Sequence, residues 1–428
     1  MTALFSTRQH CGRTMTDRRH VLVVGTALAA ELSTTYRTVD TSLLCHGSAG
    51  ATPPGDFVCV RVVERDSEPA VWIDRAREIH SLLPVDRVVA FGESEQIVAA
   101  VIAEELRLPG HHGVDVVRSV ADKLEMRERL ADGALGTVAF AEAHDPLSVE
   151  RFAYAHPGRR WLVKPAMGTG SRGVTELVDL RHSTAAFNRA REVANPVAGS
   201  RRVMVEEFIS GRQLSVESLS EDGQHRVLAI TQKYTDERTF AEVGHCVPAE
   251  LSPEDTNAVG EYTCTVLDAL RVHYGPTHTE LVLGAAGRID LIETHTRLGG
   301  HGIPHLVSAA LGFDMHELAF AQLAGVPLLP RLPAAVPRAT SAQAVWFGYA
   351  PVPGRVHSLR RRTEPEAHVE VLVSPGDEVT ADMTRSSRVV AARASGATGA
   401  EAVRKASQAV LGTTVVIECS MTAQLLGP

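Results

Sequence analysis

Residues 280–302, ELVLGAAGRIDLIETHTRLGGHG, constrain this chain more than any other stretch. An apolar run carrying Glu280 meets a turn at Gly284 to Gly287, and a second apolar run, Ile289 to Ile292, delivers Glu293. Folded as a hairpin, the two runs place two carboxylates at the same end of adjacent strands. Carboxylates held close on rigid backbone must bind cations or share a proton. Just beyond lie His295, Arg297, Gly299 and Gly300. An arginine and two glycines suit an anionic group lying against bare backbone. The pattern predicts a site for Mg²⁺ and phosphate.

A chain of 428 residues is too long for one core, so two to four domains are expected. With 44% hydrophobic and 22% charged residues the composition is that of a globular protein, and a net charge of −8 argues against nucleic acid as the main partner. The cysteines (Cys11, Cys45, Cys59, Cys246, Cys264, Cys419) show no CxxC spacing and read as free thiols rather than a disulfide frame or a zinc site. No apolar run approaches the ~20 residues of a membrane span. The polar N-terminal stretch lacks the apolar segment of a signal peptide and reads as a loose tail, with Met15 an alternative start. The expected setting is cytoplasmic, without membrane or nucleic-acid partners.

From residue 20 to 115, apolar runs alternate with helical periodicity. HVLVVG (His20 to Gly25), FVCVRVV (Phe57 to Val63) and RVVAFGE (Arg87 to Glu93) read as buried parallel strands. Ala27 to Tyr36, Ser67 to Leu83 and Ser94 to Leu106 read as helices, the last stopped by Pro109-Gly110. This is an open α/β domain. No GxGxxG follows the first strand, which excludes the usual dinucleotide loop. Glu93, at a strand's C-terminal end, either faces a ligand or is a solvated carboxylate at a helix start.

Beyond it, a charged helix opens at Asp122-Lys123, and strand-like runs occupy 161–174, 202–223 and 226–235. Pro253 to Tyr274 and Ile303 to Ala324 read as helices. A Pro-rich linker crosses 325–337, and residues 338–428 read as a small α+β module with one helix, Ala400 to Leu411. The whole is an α/β and α+β multidomain chain, divided at 20–115, 116–330 and 338–428. The middle domain subdivides into one portion at about 119–210 and a second at about 211–330.

Two further motifs carry chemistry. In K164-P-A-M-G-T-G-S-R-G173 a lysine at a strand end precedes a loop with Gly168, Thr169, Gly170, Ser171 and Gly173. Such a loop can fold its N–H groups over polyphosphate while the lysine meets the charge; no GK[ST] ends it, so it is not a Walker A motif. Read alone, a Gly-rich hairpin loop fits it equally. In V205-E206-E207-F208-I209, apolar residues flank paired carboxylates, with Gln213 and Glu217 downstream. This resembles a hinge that grips a planar base, although a strand end before a solvated turn gives the same pattern.

Taken in order, these motifs resemble the ATP-grasp superfamily of carboxylate–amine ligases, and within it the L-amino acid ligases that make dipeptides. KPAMGTGSRGV resembles that group's KPxxGxGSxGV loop, EEFISGRQLSVES its EExxxGxExSVE element, and IETHTRLGG its IExNxRxGG. ITQKYT with FAEVGHCVPAEL resembles its linked strand and substrate-side loop, and FGESEQIVAAVIAEELRLPG with DKLEMRERL its lead-in. The resemblance runs from about residue 20 over nearly the whole chain.

It implies an ATP-grasp fold behind an N-terminal pre-ATP-grasp domain. Lys123 and Lys164 would contact ATP phosphates under the 168–173 loop. Glu206, Glu207 and the Phe208–Ile209 backbone would hold adenine, and Gln213 would stand where a ribose-binding glutamate is usual. Glu280 and Glu293 would bridge two Mg²⁺ ions, with Mn²⁺ the alternative. Arg297, with Gly299 and Gly300, would stabilise the transferred phosphoryl group. Glu217 and His245 would lie near the amino-acid pocket. A homodimer through the N-terminal domain is common in the superfamily.

One position departs from the pattern: His295 replaces the usual asparagine two residues after the second glutamate. Imidazole is a poorer Mg²⁺ ligand than an amide oxygen and favours Mn²⁺ or Zn²⁺. Three readings stay open: a different metal, a supporting role with water replacing the oxygen, or a degenerate site. The second is preferred, because both glutamates, Arg297 and both lysines remain.

The implied reaction is ATP-dependent amide formation from a carboxylate, expected to be an amino acid, and an amine through an acyl phosphate, in keeping with the absence of a GxSxG nucleophile. The rivals are another ATP-grasp chemistry, carboxylase-like or with a carrier or thiol acceptor, and a non-catalytic ATP-binding regulator. No biotin-carrier MKM segment is present in the chain.

Overall fold

The computed structural model describes residues 18–25, 38–47, 57–64, 67–110, 112–132, 135–194, 201–361 and 366–418. The helix expected over Ala27 to Tyr36, the N-terminal tail, Cys11 and Cys419 lie outside the described residues. The chain forms two compact units: residues 1–139, 209–230 and 251–338 make the first, and 140–208, 231–250 and 339–428 the second. These units cut across the boundaries expected from the sequence, because strands distant in the chain pair with one another.

The first unit begins with a four-stranded parallel sheet. Its order is Val60–Val63, Asp40–His46, His20–Val24, Arg87–Ala90. Both faces are covered, which is why the strands read as continuous apolar runs. Leu22, Val24 and Leu44 pack under the helices Pro69–Leu82 and Gln96–Glu105. Val21, Val23 and Leu43 face Phe320, Leu323 and Ala324, at the end of the helix Met315–Leu323. The strand Asp40–His46 was not anticipated, and FVCVRVV contributes only its last four residues.

The same unit holds an antiparallel ladder in which Gly275–Leu283 lies between Arg212–Glu221 and Ile289–His295. The hairpin joining Gly275–Leu283 to Ile289–His295 turns through Ala285–Gly287, where the sequence places it. A register shift after Glu280 leaves Ile292 as an extra residue. That bulge reverses the alternation along the strand. Leu291 therefore enters the core with Val266, Leu267 and Leu270, while Glu293 stays level with Glu280.

One helix opens where the sequence places it, at Asp122-Lys123, and one long helical expectation, Ile303 to Ala324, is broken in the structure. Asp122 is extended, and its side chain accepts N–H bonds from Leu124 (2.9 Å) and Glu125 (3.3 Å), so Val114–Ala121 ends and Lys123–Asp132 begins there. Gly312, with φ +77°, ends Ile303–Leu311 before Asp314 caps Met315–Leu323.

The second unit contains a four-stranded antiparallel sheet in the order Phe140–Ala143, Val203–Glu207, Trp161–Pro165, Thr175–Glu176. The helices Pro146–Ala155 and Ser183–Val193 bury Val149, Ala153, Phe187 and Ala190 beside it. A further set of strands pairs Glu242–Val247 with Ala342–Tyr349, then Arg388–Gly396, then Ala367–Val371. The helix Gly399–Leu411 packs Ala402 and Ala406 against Cys246, Ala344 and Ala394. The segment expected as a small α+β module over 338–428 thus pairs its strands with one from mid-chain. Small side chains let its helix and strands close onto a strand from mid-chain. No helix among the described residues is long and apolar enough to cross a membrane.

Candidate active site

Strand register gathers one group of predicted residues in the first unit. Ser215, Glu280 and Glu293 form one row across the three-stranded ladder of the first unit. Glu217, His278 and His295 form the next row. Residues two apart share a face, so the three acidic and two imidazole positions converge as the hairpin sequence implies for Glu280 and Glu293.

Each carboxylate meets a basic side chain. Lys123 Nζ lies 2.7 Å from Glu293 Oε2, and His295 Nε2 lies 3.3 Å from Glu293 Oε1. Burial alone would raise the Glu293 pKa, but Lys123 and His295 hold it well below the usual carboxylate value. One turn along from Lys123, Arg127 donates to the carbonyl of Ile292 at 3.5 Å, the residue of the bulge. Glu280 Oε1 meets His278 Nε2 at 3.2 Å. Glu217 is fully buried; its Oε1 lies 2.5 Å from His278 Nδ1 and its Oε2 accepts the Gly299 N–H at 3.0 Å. Burial opposes a charge on His278, yet Glu217 and Glu280 outweigh it and lift its pKa to about 9.

Arg297 pairs with Glu93 and also donates to the Leu298 carbonyl at 2.9 Å. His295 Nδ1 lies 3.9 Å from the same Glu93. Glu93 therefore meets Arg297 and His295 just beyond the C-terminal end of the strand Arg87–Ala90. Gly299 is required by close approach: a Cβ there would lie 2.8 Å from His278 Nδ1 and 2.9 Å from Glu217 Oε1. Gly300 is exposed and meets no such neighbour. Gln213 pairs in register with Val282 on the same ladder, and Ile209 also falls in the first unit.

The second unit gathers the other predicted residues. Lys164 and Glu206 are both buried and form an ion pair across adjacent strands. Glu206 stands opposite Leu162 and Lys164 opposite Met204, so the pair is a diagonal contact on one face. Glu207 pairs with Arg159 instead. The Phe208 N–H donates to the Arg160 carbonyl at 2.8 Å, and the Arg160 guanidinium lies 3.8 Å from the Phe208 ring centroid.

The loop between Pro165 and Thr175 turns through positive φ at Gly170, Ser171 and Gly173, and Ser171 Oγ donates to the Phe240 carbonyl at 3.0 Å. Gly173 combines φ +76° with a neighbour, Val193, that a Cβ would meet at 2.2 Å. Gly173→Ala is therefore expected to destabilise the fold by at least about 1–2 kcal/mol, read as a shift of the urea midpoint. Gly170→Ala, with open space at the Cβ, should cost only the backbone part of this.

His245 is fully buried in the same unit, beside Lys233 in register and 3.7 Å from Glu242. Lys233 Nζ binds Glu242 at 2.6 Å. Tyr349 and Arg388 both donate to the Glu242 carbonyl, at 2.7 and 3.3 Å. His278, Lys233 and Glu242 were not singled out from the sequence. The first had a readable signal, since it lies two residues before Glu280 on the same strand face.

The donor set fits a hard divalent cation: two opposed carboxylates offer oxygen, and the flanking groups are cationic. His295 directs Nε2 at Glu293, which suits a supporting role. Cys246, pushed up to about 12 mainly by burial, and Cys45 and Cys264, raised by the same cause, are poor nucleophiles.

Residues 159–305 match the ATP-grasp domain family. Alanine–anticapsin ligase of Bacillus subtilis is 24% identical over 273 residues, 60% of this chain and 57% of that protein. The L-arginine-specific L-amino acid ligase of Bacillus subtilis is 21% identical over 263 residues, 60% of this chain and 62% of that protein. The chain spans somewhat more than half the length of these curated relatives. The crystal structure of an L-amino acid ligase from Bacillus licheniformis superposes with a TM-score of 0.79 at 20% identity, covering 94% of this chain and 99% of that one. The fold of the chain is the ATP-grasp fold, shared with this solved structure.

Proposed function

We propose that the protein is an ATP-dependent ligase joining the carboxylate of an amino acid to an amine, with release of ADP and phosphate. The observation that carries the reading is the row Glu280–Glu293, opposed in register and flanked by Lys123 and the Arg297–Glu93 pair. The named relatives, which include ligases of amino acids, support it.

In this reading Glu280 and Glu293 hold the divalent cations, two Mg²⁺ or Mn²⁺, which spread negative charge on the nucleotide's terminal phosphates. Lys123 and Lys164 add positive potential there. Glu206 and the Phe208–Ile209 backbone take adenine, with Gln213 on the ribose, and the glycines of 168–173 allow a closing loop. Arg297, with the backbone of Gly299 and Gly300, meets the oxygens of the transferred phosphoryl group. The substrate carboxylate attacks that group to give an acyl phosphate; the amine then attacks the acyl carbon and phosphate leaves. An acyl phosphate hydrolyses readily, so loop closure excludes water. His245 contributes to the amino-acid pocket. Glu217, with both oxygens engaged internally, acts through His278 and Gly299. The setting is cytoplasmic and the assembly a homodimer.

The test is incubation with ATP, Mg²⁺ or Mn²⁺ and a panel of amino acids, read by mass spectrometry. Amino-acid-dependent ADP formation with an amide product is expected. ATP binding without ADP under either metal would overturn the ligase reading. His295→Asn is expected to leave the Mg²⁺/Mn²⁺ preference unchanged, because His295 supports Glu293 rather than ligating. A preference shifted toward Mg²⁺ would show that the imidazole binds the ion.

A further inference from the structure

Glu280 and Glu293 do not set their own separation; two histidines hold them. His295 Nε2 meets Glu293 at 3.3 Å and His278 Nε2 meets Glu280 at 3.2 Å. The two rings are stacked, with centroids 6.3 Å apart and planes inclined by 16°. His278 is the more firmly fixed of the two. Its other nitrogen lies 2.5 Å from Glu217, a carboxylate with no solvent exposure.

A hydrogen bond at one ring nitrogen fixes ring orientation and determines what the other nitrogen can do. Groups of this kind behind a metal ligand tune affinity because they hold that ligand in one geometry. Glu217 has a second connection. Its remaining oxygen accepts the Gly299 N–H at 3.0 Å, and Gly299 leaves no room for a Cβ beside either Glu217 or His278. A continuous path thus runs from the glycine turn through Glu217 and His278 to Glu280.

We propose that His278, oriented by Glu217, is the positioning residue that fixes Glu280 for the cation and ties the metal carboxylates to the Gly299–Gly300 turn. The inference rests on the metal-binding reading above and adds a residue to it. It differs from a packing role in a measurable way: the path predicts an effect on metal affinity that does not follow global stability.

The experiment measures Mn²⁺ binding by electron paramagnetic resonance in the presence of a non-hydrolysable ATP analogue. The proteins are the wild-type chain, His278→Gln and Glu217→Gln, each with its thermal unfolding midpoint. His278→Gln is expected to weaken Mn²⁺ binding by about 10-fold or more. Glu217→Gln keeps an acceptor for Gly299 and is expected to move affinity in the same direction. Mn²⁺ affinity within about 2-fold of wild type in whichever variant folds overturns the proposal, even if its unfolding midpoint falls. A wild-type protein that binds no Mn²⁺ with the nucleotide analogue overturns the metal-site reading itself, and this inference with it.

Discussion

Replacing Glu293 by alanine is expected to abolish turnover, with kcat lower by at least about 10²–10³-fold, because cation binding contributes several kcal/mol to phosphoryl transfer. Glu293 is the point on which the first unit's charges converge: Lys123 at 2.7 Å, His295 at 3.3 Å, and a bulge braced through Ile292 by Arg127. Removing the carboxylate takes a proposed metal oxygen and the negative charge that the Lys123 ammonium faces. Bound cation would then be repelled as well as unheld. Glu293→Gln separates these effects, since it keeps shape and one oxygen but not the charge. It should fold like the wild type while losing most activity, as measured by ADP release with the best amino-acid pair. An unaffected rate in Glu293→Ala would refute the metal assignment.

Much of this site was legible in the sequence. Glu280 and Glu293 lie on runs whose apolar residues and turn glycines specify a hairpin, and the hairpin's register sets them opposite one another. What the sequence hid was non-local pairing. His278 and Glu217 meet because strands 61 residues apart in the chain are neighbours in the ladder. No period or composition encodes that distance. The bulge at Ile292 is similarly silent, though it decides which way Leu291 and Glu293 point. In the second unit, TVVIE and RVVAARA read correctly as strands, but nothing local announces that Arg388–Gly396 lies beyond Ala342–Tyr349 from Glu242–Val247. The helix expected over Ile303 to Ala324 broke where the left-handed Gly312 outweighed hydrophobic periodicity, whereas the helix start at Asp122-Lys123 was legible.

The Lys164–Glu206 pair is expected to show stability and function moving in opposite directions. Both side chains are buried on the second unit's four-stranded sheet, so each charge is there at a desolvation cost that the partner offsets. Glu206→Ala leaves the lysine buried without its carboxylate and should destabilise the protein by about 3–5 kcal/mol, read by urea unfolding. Lys164→Met combined with Glu206→Leu removes both charges and fills the same space. That double variant should recover most of the loss, and can exceed the wild type, because apolar replacement of a buried ion pair is often neutral or stabilising. It should nevertheless bind ATP far more weakly in equilibrium titration, since the lysine proposed to meet phosphate and the carboxylate proposed to meet adenine are both gone. A double variant that is stable and still binds nucleotide with wild-type affinity would remove these two residues from the proposed site. One that is stable and does not bind would explain why a costly charged pair persists where leucine and methionine would fold as well.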